Sequence, residues 1–127
     1  MSHAILVVED DENVREFVDM VLTNAGYLVA TASDGSSALN LLRRSRPNLI
    51  LLDIALPKLS GLEVLKTLRQ RGNDTQVLMM TANRSADVVR EVMALGGNGY
   101  LLKPLEPEEL VARVRKALAA KSTDVTP

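Results

Sequence analysis

Five times along this chain, a short and largely apolar run gives way to a segment whose apolar residues recur at helical spacing. Few architectures accommodate that alternation. The runs are Ala4–Val8 (AILVV), Tyr27–Ala32 (YLVATA), Leu49–Leu52 (LILL), Gln76–Met80 (QVLMM) and the short Tyr100–Leu102. An apolar run with no polar alternation suits a strand buried on both faces.

The intervening segments read as helices. Val14, Phe17, Val18, Val21, Leu22 and Ala25 fall at i, i+3, i+4, i+7, i+8 and i+11, with Asp11 placed as N-cap and Gly26 as the stop. Asp34-Gly35 reads as a turn into a second helix with the apolar face Ala38, Leu41 and Leu42. Arg43, Arg44 and Arg46 gather at its C-terminal end, as the helix dipole favours, before Pro47 ends it. Leu62, Leu65 and Leu68 mark a third helix that stops at Gly72. Val89, Val92 and Met93 mark a short fourth, which runs into Gly96-Gly97-Asn98-Gly99. Leu110, Val111, Val114, Ala117 and Leu118 form the buried face of a fifth, with Pro107, Glu108 and Glu109 in its first turn. Arg113, Arg115 and Lys116 on that helix read as a solvated basic face.

Strands that alternate with helices over short connections give a parallel sheet covered on both faces. The expected fold is therefore α/β, a (βα)5 doubly wound five-stranded parallel sheet. It fills one domain over residues 1–121, and 122–127, which lack any pattern, read as a disordered tail or linker stub.

Composition narrows the functions such a fold can carry. Hydrophobic residues make up 46% of the 127, enough for one core, and with aromatics at 2% that core must come from aliphatic side chains and Met. A formal charge of −1 supplies no positive field for nucleic acid, so direct nucleic-acid binding is not expected. The lack of cysteine excludes a disulfide scaffold, a thiolate zinc site and cysteine catalysis. No apolar run approaches ~20 residues, and Met1-Ser2-His3 does not open a signal peptide, so a cytoplasmic protein without membrane contact is expected.

In open α/β sheets function concentrates at the carboxyl ends of the strands. The first strand ends in Glu9, Asp10 and Asp11, the third on Asp53, the fourth on Thr81 and the fifth on Lys103. Each has an ordinary reading: Asp11 and Glu12 as helix caps, Asp53 as a turn former, Thr81 as a cap of the fourth helix, Lys103 as a solvated lysine. Four such coincidences at one rim are less economical than one shared site. Clustered carboxylates require a cation, and a hard divalent ion such as Mg2+ suits oxygen ligands in a partly open site. With a phosphoryl group added, Asp53 fits the role of a carboxylate nucleophile. Thr81 and Lys103 then fit as hydrogen-bond donor and charge partner.

The stretches ILVVEDDENVR (Ile5–Arg15), LILLDIALPKLSG (Leu49–Gly61), LMMTANRSAD (Leu78–Asp87) and GYLLKP (Gly99–Pro104) together resemble a bacterial response-regulator receiver domain. The likeness spans residues 4 to about 120 and implies a flavodoxin-like sheet. It implies Glu9 and Asp10 as the acidic metal pair, Asp53 as the phosphoacceptor (4-aspartylphosphate) and the backbone carbonyl of Ala55 as a further Mg2+ ligand. It also implies Thr81 and Tyr100 as switch residues, Lys103 as the site's lysine, and a cis bond before Pro104. The implied function is a receiver in a two-component phosphorelay that promotes its own phosphotransfer and dephosphorylation rather than acting on a separate substrate. Its partners would be a sensor histidine kinase or a histidine phosphotransfer protein. Output would be a downstream protein or a homodimer, bound through the face of the fourth helix, fifth strand and fifth helix.

Three departures stand out. Leu56 replaces the usual Met, a volume-conserving change. Gly97 and Gly99 replace larger residues, which implies a more mobile loop. Ala55 offers no side chain to the phosphoryl group, a position thought to tune hydrolysis. Two other functions compete: a Mg2+-dependent aspartate-nucleophile phosphohydrolase, disfavoured because the first strand lacks the D-x-D spacing, and a receiver-like scaffold that is never phosphorylated. A dinucleotide site is weaker still, since no G-x-G-x-x-G follows the first strand.

Overall fold

A computed structural model describes residues 3–123. The elements alternate as read from the sequence: β1 (Ala4–Val8), α1 (Glu12–Asn24), β2 (Leu28–Ala32), α2 (Gly35–Arg44), β3 (Leu49–Asp53), α3 (Gly61–Gln70), β4 (Gln76–Thr81), α4 (Ala86–Ala94), β5 (Gly99–Leu102) and α5 (Pro107–Thr123). The strands form one parallel sheet in the order β2-β1-β3-β4-β5. The sheet separates two cores. Leu6, Val8, Ile50, Leu52, Val77 and Met79 face α2, α3 and α4 through Ala38, Leu42, Leu65, Leu68 and Val92. Ile5, Val7, Leu49, Leu51, Leu78 and Met80 face α1 and α5 through Val18, Leu22, Leu110 and Val114. Period-2 alternation sends successive residues of one strand into opposite cores, which is why runs such as LILL carry no polar residue.

Local chemistry fixes several helix starts. Asp11 caps α1, accepting from the Asn13 and Val14 N–H groups at 2.9 and 3.1 Å. Ser60 and Glu63 form a reciprocal capping box on α3.

Four expectations need correction. Asp34-Gly35 is not a free turn: Gly35 is already helical and Asp34 is the N-cap, accepting from the Ser37 N–H at 2.7 Å. The strand read from Tyr27 begins at Leu28, because the Tyr27 N–H is taken by the Leu22 carbonyl at the end of α1. The sheet is not covered at its β2 edge, where Leu28 is 62% exposed and only Ala32 of the strand is buried. Finally, Arg113 is not simply solvated. It is half-buried and donates to the Tyr100 carbonyl at 2.9 Å, whereas Arg115 and Lys116 are exposed. The fifth helix continues to Thr123, two residues past the expected domain end. Met1, Ser2 and the rest of the expected tail, 124–127, lie outside the described residues.

Candidate functional site

The strand order brings the acidic ends together. β1 and β3 are neighbours, with Val8 level with Leu52, so the next residues, Glu9 and Asp53, emerge side by side. On the far side of β3, Asp53 is level with Met80, and Thr81 with Leu102, which places Lys103 just beyond. The sheet order reverses direction between β1 and β3, the place where open α/β sheets bind ligands.

Carboxylate oxygens of Glu9, Asp10 and Asp53 all lie within 4.8 Å of one another. Glu9 and Asp53 are 1% and 3% exposed, whereas Asp10 is open to solvent. The Lys103 ammonium donates to Glu9 Oε1 at 2.6 Å and lies 3.3 Å from Asp53 Oδ2. Glu9 Oε2 accepts from the Asp11 N–H at 3.1 Å, and Asp53 Oδ1 from the Ala55 N–H at 3.2 Å. Burial pushes the Glu9 carboxyl above its ordinary value, and the Lys103 bond only partly offsets it. Burial acts against the Lys103 ammonium too, but the carboxylates of Glu9 and Asp53 outweigh it and hold its pKa above the ordinary value.

Three carboxylates crowd around the Lys103 ammonium, and two of them, Glu9 and Asp53, are closed to water. The donors are all hard oxygens, and the exposed Asp10 leaves one side open for water ligands. That combination fits Mg2+, which keeps several waters and uses few carboxylates.

Thr81, buried at 5% exposure, does not cap α4. Ser85 does that, while the Thr81 hydroxyl accepts from the Asn83 N–H at 2.9 Å. Tyr100 is half-buried, level with Met79 on β4, and packs against the core under α3 and α4. The Lys103-Pro104 bond is cis.

Two residues not singled out from the sequence shape this rim. Arg15, one turn into α1, donates to the Glu9 carbonyl at 3.0 Å and the Asp10 carbonyl at 3.4 Å, fixing the backbone of the acidic pair. Helical spacing from Asp11 was the signal that could have revealed it. Gly61 backs onto the phosphoacceptor candidate: a Cβ there would be built into the main-chain carbonyl oxygen of Asp53 and lie 2.9 Å from its carbonyl carbon. Only the close approach of α3 to the end of β3 explains that glycine, and no local pattern encodes it.

The loop before Tyr100 also differs from expectation. A side chain at the buried Gly97 would come within 2.5 Å of Val92 Cγ1, so this glycine answers a close approach rather than a need for mobility. The turn is tied down: the Gly97 N–H donates to Val92 and the Asn98 N–H to Val77, each at 2.9 Å. Leu56 is buried among the core side chains, as a Met substitute would be.

A sequence profile of the response regulator receiver domain matches residues 5–115. Response regulator MprA of Mycobacterium sp. (strain KMS) is 42% identical over all 127 residues, which correspond to 55% of that protein. The chain thus spans about half the length of the curated relatives it matches. Among solved structures, chemotaxis response regulator CheY4 of Vibrio cholerae superposes with a TM-score of 0.88 at 33% identity, over 92% of this chain and 99% of that one. NtrX from Brucella abortus gives 0.91 at 27% identity, over 98% of this chain and 28% of that one.

Proposed function

The chain belongs to the response-regulator receiver domain family, and from that premise we propose that it takes a phosphoryl group onto Asp53 and relays the event through its α4–β5–α5 face. Receiver domains are signalling domains of two-component systems, and phosphorylation on aspartate is their general function. The observation that carries the assignment is the triangle at the strand ends: buried Asp53 between the acidic pair Glu9–Asp10 and the Lys103 ammonium.

In this reading an Asp53 oxygen attacks the phosphorus of a phosphohistidine on a sensor kinase or histidine phosphotransfer protein. The P–O bond forms as the P–N bond breaks, and the electron pair leaves on the imidazole, which takes a proton from water. Asp10, Asp53, Glu9 and the Ala55 carbonyl would hold Mg2+, which when bound neutralises charge on the transferring group. The Ala55 N–H orients the nucleophile, and Lys103 balances the oxygens that the new group brings. Thr81 would release the Asn83 N–H to bond a phosphoryl oxygen, and Tyr100 would move with it. An apolar groove lined by Val14, Phe17, Ala82, Pro104 and Leu105 adjoins Lys103 and offers a kinase surface a seat within reach of Asp53.

Output through a downstream protein or a second copy, and residence in the cytoplasm, belong to the same reading. Among the described residues no helix is long and apolar enough to cross a membrane. The near-neutral charge argues against nucleic-acid contact for these 127 residues only.

Incubation with acetyl phosphate and Mg2+, followed by mass spectrometry, should show one base-labile phosphoryl adduct on Asp53 that Asp53→Asn abolishes. Labelling that survives Asp53→Asn, or maps elsewhere, sinks the assignment.

A further inference from the structure

Among the described residues outside the acidic rim, Arg69, near the end of α3, has the most heavily engaged side chain. Its Nε and Nη2 donate to the Gly96 carbonyl at 3.0 and 2.8 Å, and Nη2 also reaches Asn98 Oδ1 at 3.2 Å. Its Nη1 donates to the Asn73 and Thr75 carbonyls at 2.9 Å each. One planar guanidinium therefore holds the end of α3, the approach to β4 and the α4–β5 turn in a single arrangement, which the point charge of a lysine could not do. Asn98 extends the connection, because its Oδ1 also accepts from the Val77 N–H at 2.8 Å. At the opposite end of the same helix, Gly61 lies against the Asp53 carbonyl and donates its N–H to Ile54 at 2.9 Å. Between the two ends, Val64, Leu65 and Leu68 are fully packed, so the helix has no slack against the sheet.

We propose that α3 is a rigid link between the phosphoacceptor and the α4–β5 turn, with Gly61 on the Asp53 backbone as its input contact and Arg69 on the Gly96 carbonyl as its output contact. Arg69 is a positioning residue here: it touches no reacting atom. The link rests on the reading of Asp53 as phosphoacceptor and runs separately from Thr81. A change in the β3–α3 loop when Asp53 is modified would shift α3 as a body, and the guanidinium would carry that shift to the turn that leads into Tyr100. Coupling of this kind is a measurable quantity and needs a measurement of its own.

The test is an amide NMR titration of the 127-residue chain with Mg2+ and beryllium fluoride as the phosphoryl mimic. In wild type, the amides of Ile54 and Ala55 and those of residues 96–99 should all shift. In Arg69→Gln, the Ile54 and Ala55 shifts should persist, with a midpoint within about twofold of wild type. The mimic-induced shifts at 96–99 should fall by more than about half, and Arg69→Lys should restore part of them. Thr81→Ala should leave a response at 96–99. If Arg69→Gln does not fold, Asn98→Ala and Arg69→Lys carry the test, and the 96–99 response must drop in both. A full 96–99 response in Arg69→Gln, or none in wild type while Ile54 and Ala55 respond, overturns the link. A wild type in which Ile54 and Ala55 do not respond instead overturns the phosphoacceptor reading, and the link with it.

Discussion

Lys103 and Glu9, 94 positions apart in the chain, meet through a 2.6 Å hydrogen bond between the ammonium and Oε1. The lysine side chain is 22% exposed and the glutamate 1%. The pair forms at a cost in desolvation, and the Asp53 carboxylate at 3.3 Å makes the ammonium serve two acids at once.

Removing that ammonium should therefore separate metal binding from phosphotransfer. In Lys103→Met the rim keeps three carboxylates and loses the cation that bonds directly to the Glu9 carboxylate and lies against that of Asp53. Mg2+ affinity should rise by about threefold to tenfold in a calorimetric titration at about pH 8. Labelling of Asp53 by acetyl phosphate should fall by about tenfold or more, because nothing balances the added oxygens. Weaker Mg2+ binding, or undiminished labelling, contradicts this account.

Asp10 offers the complementary test, since it is exposed and its bond to Arg15 uses the main-chain carbonyl, which a change of side chain leaves in place. Asp10→Asn should leave the unfolding free energy within about 0.5 kcal/mol of wild type. It should also weaken Mg2+ binding by about tenfold or more. Urea denaturation and calorimetry on the same samples check both halves; a large stability loss would mean that Asp10 is structural.

Gly61→Ala forces a methyl group into the Asp53 carbonyl. Neither partner can yield, because Asp53 ends the central, fully buried strand and Gly61 starts a capped helix. The loss of stability should be about 2–4 kcal/mol, and phosphorylation should fall with it even where the protein remains folded. Gly72→Ala, with nothing within 4 Å of the added carbon, is the control for an ordinary helix-end glycine: it should cost stability through its φ of +78° but leave phosphorylation intact.

Asp34 gives a pH signature. Its bonds to Ser37 at the head of α2 hold the carboxyl below its ordinary value of 3.8. A carboxyl with a depressed folded pKa contributes stability that is present above the unfolded value and lost as pH falls through the folded one. Asp34→Asn keeps an acceptor but removes the charge. Wild type should therefore be the more stable protein at about pH 6, with the difference gone by about pH 2, as read from urea midpoints. An equal difference at both pH values would show that charge plays no part in this cap.

Much of the architecture was legible locally. Apolar runs such as LILL and the i, i+3, i+4 face of α1 identify strands and helices because burial on one or two faces dictates side-chain periodicity. Asp11 could be read as a cap from its position alone, and the residues now gathered at the rim could be placed there because parallel strands share one carboxyl edge. The misreadings had local causes of their own. Asp34-Gly35 carries the same chemistry whether it makes a turn or opens a helix. Tyr27 matches a strand until the end of α1 takes its N–H.

The remainder depended on contacts between distant segments, which no window of sequence contains. Nothing near Gly61 indicates that the Asp53 carbonyl will occupy the space of its missing side chain. Gly97 suggested mobility until Val92 was found against it, and Arg113 suggested solvent until the Tyr100 carbonyl was found beside it. Arg69 is one arginine among many in the sequence, and it becomes a hub only where the α4–β5 turn folds back over the end of α3. The sequence by itself determined which residues form strands and helices and which chemical groups sit at the strand ends, because those follow from period and spacing. Which group faces which, and at what distance and burial, was decided by the packing of five helices on one sheet.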